Sequence, residues 1–163
     1  LREIVEGAVR TTAMIMLIIM AAYFLNFIIA SIGLSEAMSQ FINNLGLSPT
    51  KTMMVIIAMY VVMGFFIETL SLMVITIPIV APVVFGMGYD PVWFGILLIL
   101  LIEMALITPP VGLNLYVVQG VRGSGSIGEV MIGSAPFVIM LAIMITLLML
   151  FPDLALFLTK FMK

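Results

Sequence analysis

Read for polarity alone, the chain is a series of long apolar runs with short polar interruptions. Residues 1–10 (LREIVEGAVR) carry four charges and predict a helical lead-in on a membrane surface. Residues 11–34 then run apolar, broken late by Asn26 and Ser31. As a helix this stretch reaches roughly 36 Å, enough to cross a hydrocarbon core of about 30 Å, so residues 1–34 are expected to supply a transmembrane helix. The pattern changes over 35–48. Met38, Phe41, Ile42 and Leu45 recur at spacings of three and four, with Glu36, Gln40, Asn43 and Asn44 between them. That periodicity predicts an amphipathic helix lying along the interface, with Ser35 to cap its start and Gly46 to end it.

Ser48-Pro49 opens a new segment, followed by two shorter apolar stretches, 52–67 and 70–88, separated by Glu68, Thr69 and Ser71. The first spans about 24 Å as a helix, less than the core thickness. The second contains Pro78 and Pro82. Short, interrupted helices meeting at a polar tip predict a re-entrant helical hairpin over 51–88. The competing reading is that 64–71 is a loop reaching the cytoplasmic face. After the turn Gly88-Tyr89-Asp90-Pro91, residues 92–121 form one apolar run interrupted at 107–112, then a polar loop (122–129) leads to a further span at 132–151. Phe151-Pro152-Asp153 ends it, and a short amphipathic tail follows.

Composition fixes the class. Of 163 residues 64% are apolar and 9% charged, against about 45–50% and about 25% in soluble domains. Such a chain cannot cover its own core with polar surface, so the expected fold is an all-α polytopic membrane protein. Without Cys or His there is no thiolate nucleophile, no Ser-His-Asp triad and no His-ligated zinc or haem. The formal charge of −2 includes no basic run, so nucleic acid is not an expected partner; the lipid bilayer is. The sixteen methionines read as flexible gap-fillers rather than a copper ladder. The chain begins with Leu1 rather than Met, which points to a segment of a longer polypeptide. Crossing parity puts Arg2, Arg10 and Arg122 on one side, cytoplasmic by the positive-inside rule, with Lys51, Lys160 and Lys163 opposite.

Candidate chemistry lies at the two interruptions. Pro109-Pro110 removes two N–H donors, so the carbonyls of Ala105 and Leu106 are expected to lack helical partners. Thr108 should leave the helix and cap a new one beginning at Pro109, with Gly112 permitting close backbone approach. Unpaired carbonyls and hydroxyls at membrane depth are oxygen ligands that suit a hard cation such as Na⁺; the plain alternative is a proline kink satisfied by water or a neighbouring hydroxyl. Glu68, with Thr69 and Ser71, would ligand or attract a cation if it sits at a hairpin tip. Glu103, a turn before the break, either attracts a cation or bonds a neighbouring helix.

With these features in place, the chain resembles the C-terminal half of the large membrane subunit of TRAP (tripartite ATP-independent periplasmic) transporters. The resemblance is carried by Gly64 to Ser71, by Pro78, Pro82 and Gly-Met-Gly-Tyr-Asp-Pro, by Trp93-Phe94-Gly95, and above all by Leu106-Ile107-Thr108-Pro109-Pro110-Val111-Gly112-Leu113-Asn114-Leu115. It implies the second inverted repeat of an elevator-type, sodium-coupled secondary transporter in the bacterial inner membrane, and not an enzyme. It implies a cation site drawn from Glu68, Thr69, Ala105, Leu106, Thr108, Pro109 and Gly112, and substrate contacts from Ser71, Pro110, Val111 and Asn114. It further implies Na⁺ as the coupling ion and no other cofactor. The partners it implies are a small membrane subunit, a periplasmic solute-binding protein, the N-terminal half of the permease and a small organic acid of the C4-dicarboxylate or sialic-acid type. Ala105 departs from the family, where Gly is common before the break. The rival expectations are a sodium–anion symporter without a binding protein and a structural subunit of a membrane complex.

Overall fold

A computed structural model describes residues 2–44, 46–67, 69–109, 112–157 and 159. Among them every regular element is helical. α1 (Arg2–Ser31) absorbs the charged lead-in and the first apolar run into one helix. α2 (Leu34–Asn44) is the amphipathic segment. It starts one residue before Ser35, straight after Gly33, whose φ of 65° turns the chain between the two helices; Ser35 therefore lies inside the helix rather than capping it. Gly46, at φ 63°, follows its end.

The next three helices form the core. α3 (Pro49–Gly64) begins where Ser48 Oγ accepts from the Lys51 N–H, with proline in the first turn. α4 (Thr69–Gly86) runs unbroken through Pro78 and Pro82. α5 (Pro91–Leu106) starts at Asp90, whose Oδ1 accepts from Val92 N–H at 2.7 Å and Trp93 N–H at 3.2 Å. Both starts follow one local rule: a side-chain oxygen takes up orphan N–H groups while proline occupies a position that needs none.

Packing sets the directions. Tyr60 on α3 bonds Thr76 on α4 at 2.7 Å, so the chain runs out along α3 and back along α4. At the far end Phe85 meets Phe94 edge-to-face at 6.1 Å, which starts α5 back toward the hairpin tip. α3 and α5 are 16 residues each, about 24 Å, so their C-termini come level. Met53, Tyr60, Leu72, Trp93, Leu97 and Leu101 are fully buried between these helices.

α6 (Leu113–Arg122) and α7 (Ile127–Leu150) follow, and α8 (Asp153–Leu156) closes the described chain. Trp93 Nε1 donates to the Leu148 carbonyl at 2.9 Å, tying α7 to the start of α5. The helical partner of that carbonyl would be residue 152, a proline with no N–H to give, and the buried indole replaces it. By length and apolar composition α1, α4 and α7 can each cross a membrane. Phe24 and Phe27 on α1 and Phe137 on α7 are about two-thirds exposed. Apolar surface on this scale needs lipid or further protein against it, and the chain is a multi-pass membrane protein.

Candidate functional site

The hairpin tip and the interruption after α5 are neighbours. Gly64, the last residue of α3, lies so close to Ala105 that a Cβ built on it would stand 2.4 Å from the Ala105 Cβ. Two backbones approach this closely because one residue has no side chain and the other only a methyl group. The departure at Ala105 therefore does not hold the backbones apart: the glycine that contact needs is supplied from the hairpin side.

The 92–121 run is discontinuous, as its prolines predict, but the two ends form differently from the sequence expectation. α5 stops at Leu106, and its last turn tightens: Ile107 N–H reaches the Met104 carbonyl at 3.4 Å, and Thr108 N–H reaches the Ala105 carbonyl at 3.3 Å. The Ala105 carbonyl is thus paired, contrary to expectation, because the N–H three residues on takes the place of the one Pro109 lacks. The Thr108 hydroxyl donates to the Met104 carbonyl. Thr108 closes the helix before it and does not cap the helix after it; donating one proton leaves its oxygen's lone pairs available.

The restart comes later than expected. α6 begins at Leu113, with Gly112 as its N-cap in the left-handed region at φ 45°. A Cβ on Gly112 would lie 2.9 Å from Leu115 Cδ1 and 3.0 Å from the Thr108 carbonyl oxygen. Buried Gly112 is therefore a turn-former with no room for a side chain, rather than only a point of close approach.

Of the remaining expected site residues, Thr69 is half-buried at the start of α4 and Leu106 half-buried at the end of α5. Ser71, Glu103, Pro109 and Asn114 are exposed in this chain. Glu68, Pro110 and Val111 lie outside the described residues. Asn114 shares with Ile107 an apolar groove of about 780 Å³ between α5, α6 and α7. Further polar contacts in this region were not expected from the sequence. Ser134 Oγ on α7 lies 3.2 Å from the Ile107 carbonyl, 27 positions away, and 2.8 Å from the Met131 carbonyl of its own helix, its one proton shared between them. Arg122, at the end of α6, pairs with Glu129 across the glycine-rich loop, while Gln119 Nε2 bonds the Gly125 carbonyl at 2.9 Å. The signal for Ser134 was present in kind, a hydroxyl in an otherwise apolar span, but nothing local gave its partner.

The family described as "Tripartite ATP-independent periplasmic transporter, DctM component" matches residues 1–154. The chain is 31% identical, over 97% of its length, to the sialic acid TRAP transporter large permease protein SiaM of Vibrio cholerae, covering 37% of that protein. It is 33% identical, over 76% of its length, to the C4-dicarboxylate TRAP transporter large permease protein DctM of Rhodobacter capsulatus, covering 28% of it. It is 28% identical, over 93% of its length, to the 2,3-diketo-L-gulonate TRAP transporter large permease protein YiaN of Escherichia coli, covering 36% of it. The chain thus spans about a third of the length of the curated relatives it matches. With its adjoining hairpin tip and broken helix, this chain belongs to the DctM, or large permease, family of tripartite ATP-independent periplasmic transporters.

Proposed function

We propose that this chain forms the second repeat of a sodium-coupled, elevator-type importer of small organic acids in the bacterial inner membrane. The full permease would take its substrate from a periplasmic binding protein and be braced by a small membrane subunit, the N-terminal half supplying the rest of the site. The observation that carries this reading is the Gly64–Ala105 approach, which sets the hairpin tip beside the interrupted helix. Hydroxyl and carbonyl oxygens gathered at such a junction suit a hard cation, and the cation in turn suits a carboxylate substrate. Thr108 contributes its hydroxyl oxygen, Glu68 and Thr69 the tip, and Ser71 and Asn114 contacts to substrate. The relatives named for sialic acid and for C4-dicarboxylates support an organic acid as cargo.

In this mechanism sodium entry orders the tip against the break, substrate binds to the ordered pocket, and the loaded unit crosses the membrane. Each net positive charge carried inward gains about 2.3 kcal/mol per 100 mV. The test is uptake of labelled succinate and N-acetylneuraminate by the full transporter in proteoliposomes, with and without a sodium gradient and the binding protein. Uptake of either acid that needs both additions is the expected result. Uptake that needs sodium but not the binding protein would identify the simpler symporter, and uptake of neither acid under any condition would remove the reading.

A further inference from the structure

The break is held from a second side that the proposed site does not use. α7 is fastened to α5 at two points: Trp93 Nε1 to the Leu148 carbonyl at one end, and Ser134 Oγ to the Ile107 carbonyl at the other. The first joins two regular helices in the core. The second ends on the residue where α5 stops, at φ −110° and ψ 5°, outside helical geometry.

The Ser134 hydroxyl has one proton and two acceptors, the Met131 carbonyl of its own helix at 2.8 Å and the Ile107 carbonyl at 3.2 Å. Met131 lies in the regular ladder of α7, where Ala135 is in register to donate to it. Ile107 lies past the end of its helix, beside an apolar groove that Ser134 also lines. Its carbonyl has two lone pairs, and a hydroxyl held on one fixes where the other points. Loss of that hydroxyl leaves the carbonyl free to turn and disturbs the path of Ile107 and Thr108, both of which use their N–H groups to close α5.

From this geometry we infer that Ser134 is a positioning residue. Its hydroxyl fixes the direction of the Ile107 carbonyl and so preorganises the oxygen atoms of the break for the cation. The inference rests on the sodium-coupled reading above and adds to it a residue on α7, outside both interruptions.

The experiment is binding of radiolabelled sodium to the full transporter in nanodiscs, with amide hydrogen exchange at Ile107 and Thr108, for wild type, S134A, S134T and W93F. In S134A the half-saturating sodium concentration should rise about three- to tenfold, the scale of one hydrogen bond, and exchange should quicken. S134T should restore both. W93F breaks the other fastening and should leave sodium binding unchanged. An unchanged or lower half-saturating concentration in S134A, or an equal shift in W93F, overturns the inference while the sodium reading stands. No sodium binding in wild type removes the sodium reading; faster exchange confined to S134A then still upholds the positioning of the break, and unchanged exchange removes that too.

Discussion

The contact between Gly64 and Ala105 makes a prediction whose size follows from the structure. In G64A the new methyl carbon would sit 2.4 Å from the Ala105 Cβ, where carbon atoms prefer about 3.5–4.0 Å. The tip and the end of α5 must then part by roughly 1 Å. Overpacking on this scale costs about 1–3 kcal/mol. The gain in helix propensity is at most about 1 kcal/mol, and smaller at the last residue of a helix. G64A should therefore destabilise the full permease by about 1–2 kcal/mol and depress uptake more than that loss implies, because it parts the hairpin tip from the break, the two halves of the proposed site. The next atoms around the new methyl are Leu72 Cδ2 at 3.8 Å and the Ala105 Cα at 3.9 Å, both ordinary contacts. Deleting the Ala105 methyl should thus relieve the strain. A105G alone should cost about 1 kcal/mol in helix propensity, yet G64A/A105G should recover uptake, with a coupling energy of at least about 1 kcal/mol in a double-mutant cycle. Thermal unfolding and uptake on the four proteins measure it. A silent G64A, or a double variant whose losses simply add, would refute the reasoning.

Other expectations follow from single contacts. Thr76 Oγ1 donates to the Leu72 carbonyl at 2.7 Å and so accepts from the Tyr60 hydroxyl; T76V strands that buried hydroxyl and should cost about 1–3 kcal/mol, measurably more than Y60F in thermal unfolding. W93F leaves the Leu148 carbonyl without either indole or helical donor and should destabilise by a similar amount, read as earlier unfolding of the full protein. G112A forces a side chain into a left-handed conformation at roughly 1–2 kcal/mol and against Leu115 and the Thr108 carbonyl; it should abolish uptake while expression survives, whereas wild-type uptake in G112A would contradict the turn assigned to it.

What was legible in the sequence is what local chemistry decides. Ser48-Pro49 and Asp90-Pro91 fix helix starts because cap and proline are adjacent in the chain, and Pro109-Pro110 stops α5 because the N–H groups that would continue its ladder are missing four residues on. The restart was misplaced for a reason of the opposite kind. Thr108-Pro109 has the form of a capped start, but the structure uses Thr108 to close the old helix and gives the new start to Gly112, where the Thr108 carbonyl and Leu115 leave no room for a side chain. The bonds made by Ser134 and Trp93 were not legible because their partners lie 27 and 55 residues away. Pro152, four residues after Leu148, marks a carbonyl that needs a distant donor.

The central claim is that oxygen atoms beside the hairpin tip hold the coupling ion. Its most direct test is uptake against sodium concentration for the full transporter carrying T108V or T108S, at matched expression. The account predicts that T108V, which lacks the hydroxyl oxygen, needs markedly more sodium for half-maximal uptake, while T108S, which keeps it, follows the wild-type curve. Superimposable curves for all three proteins would contradict it.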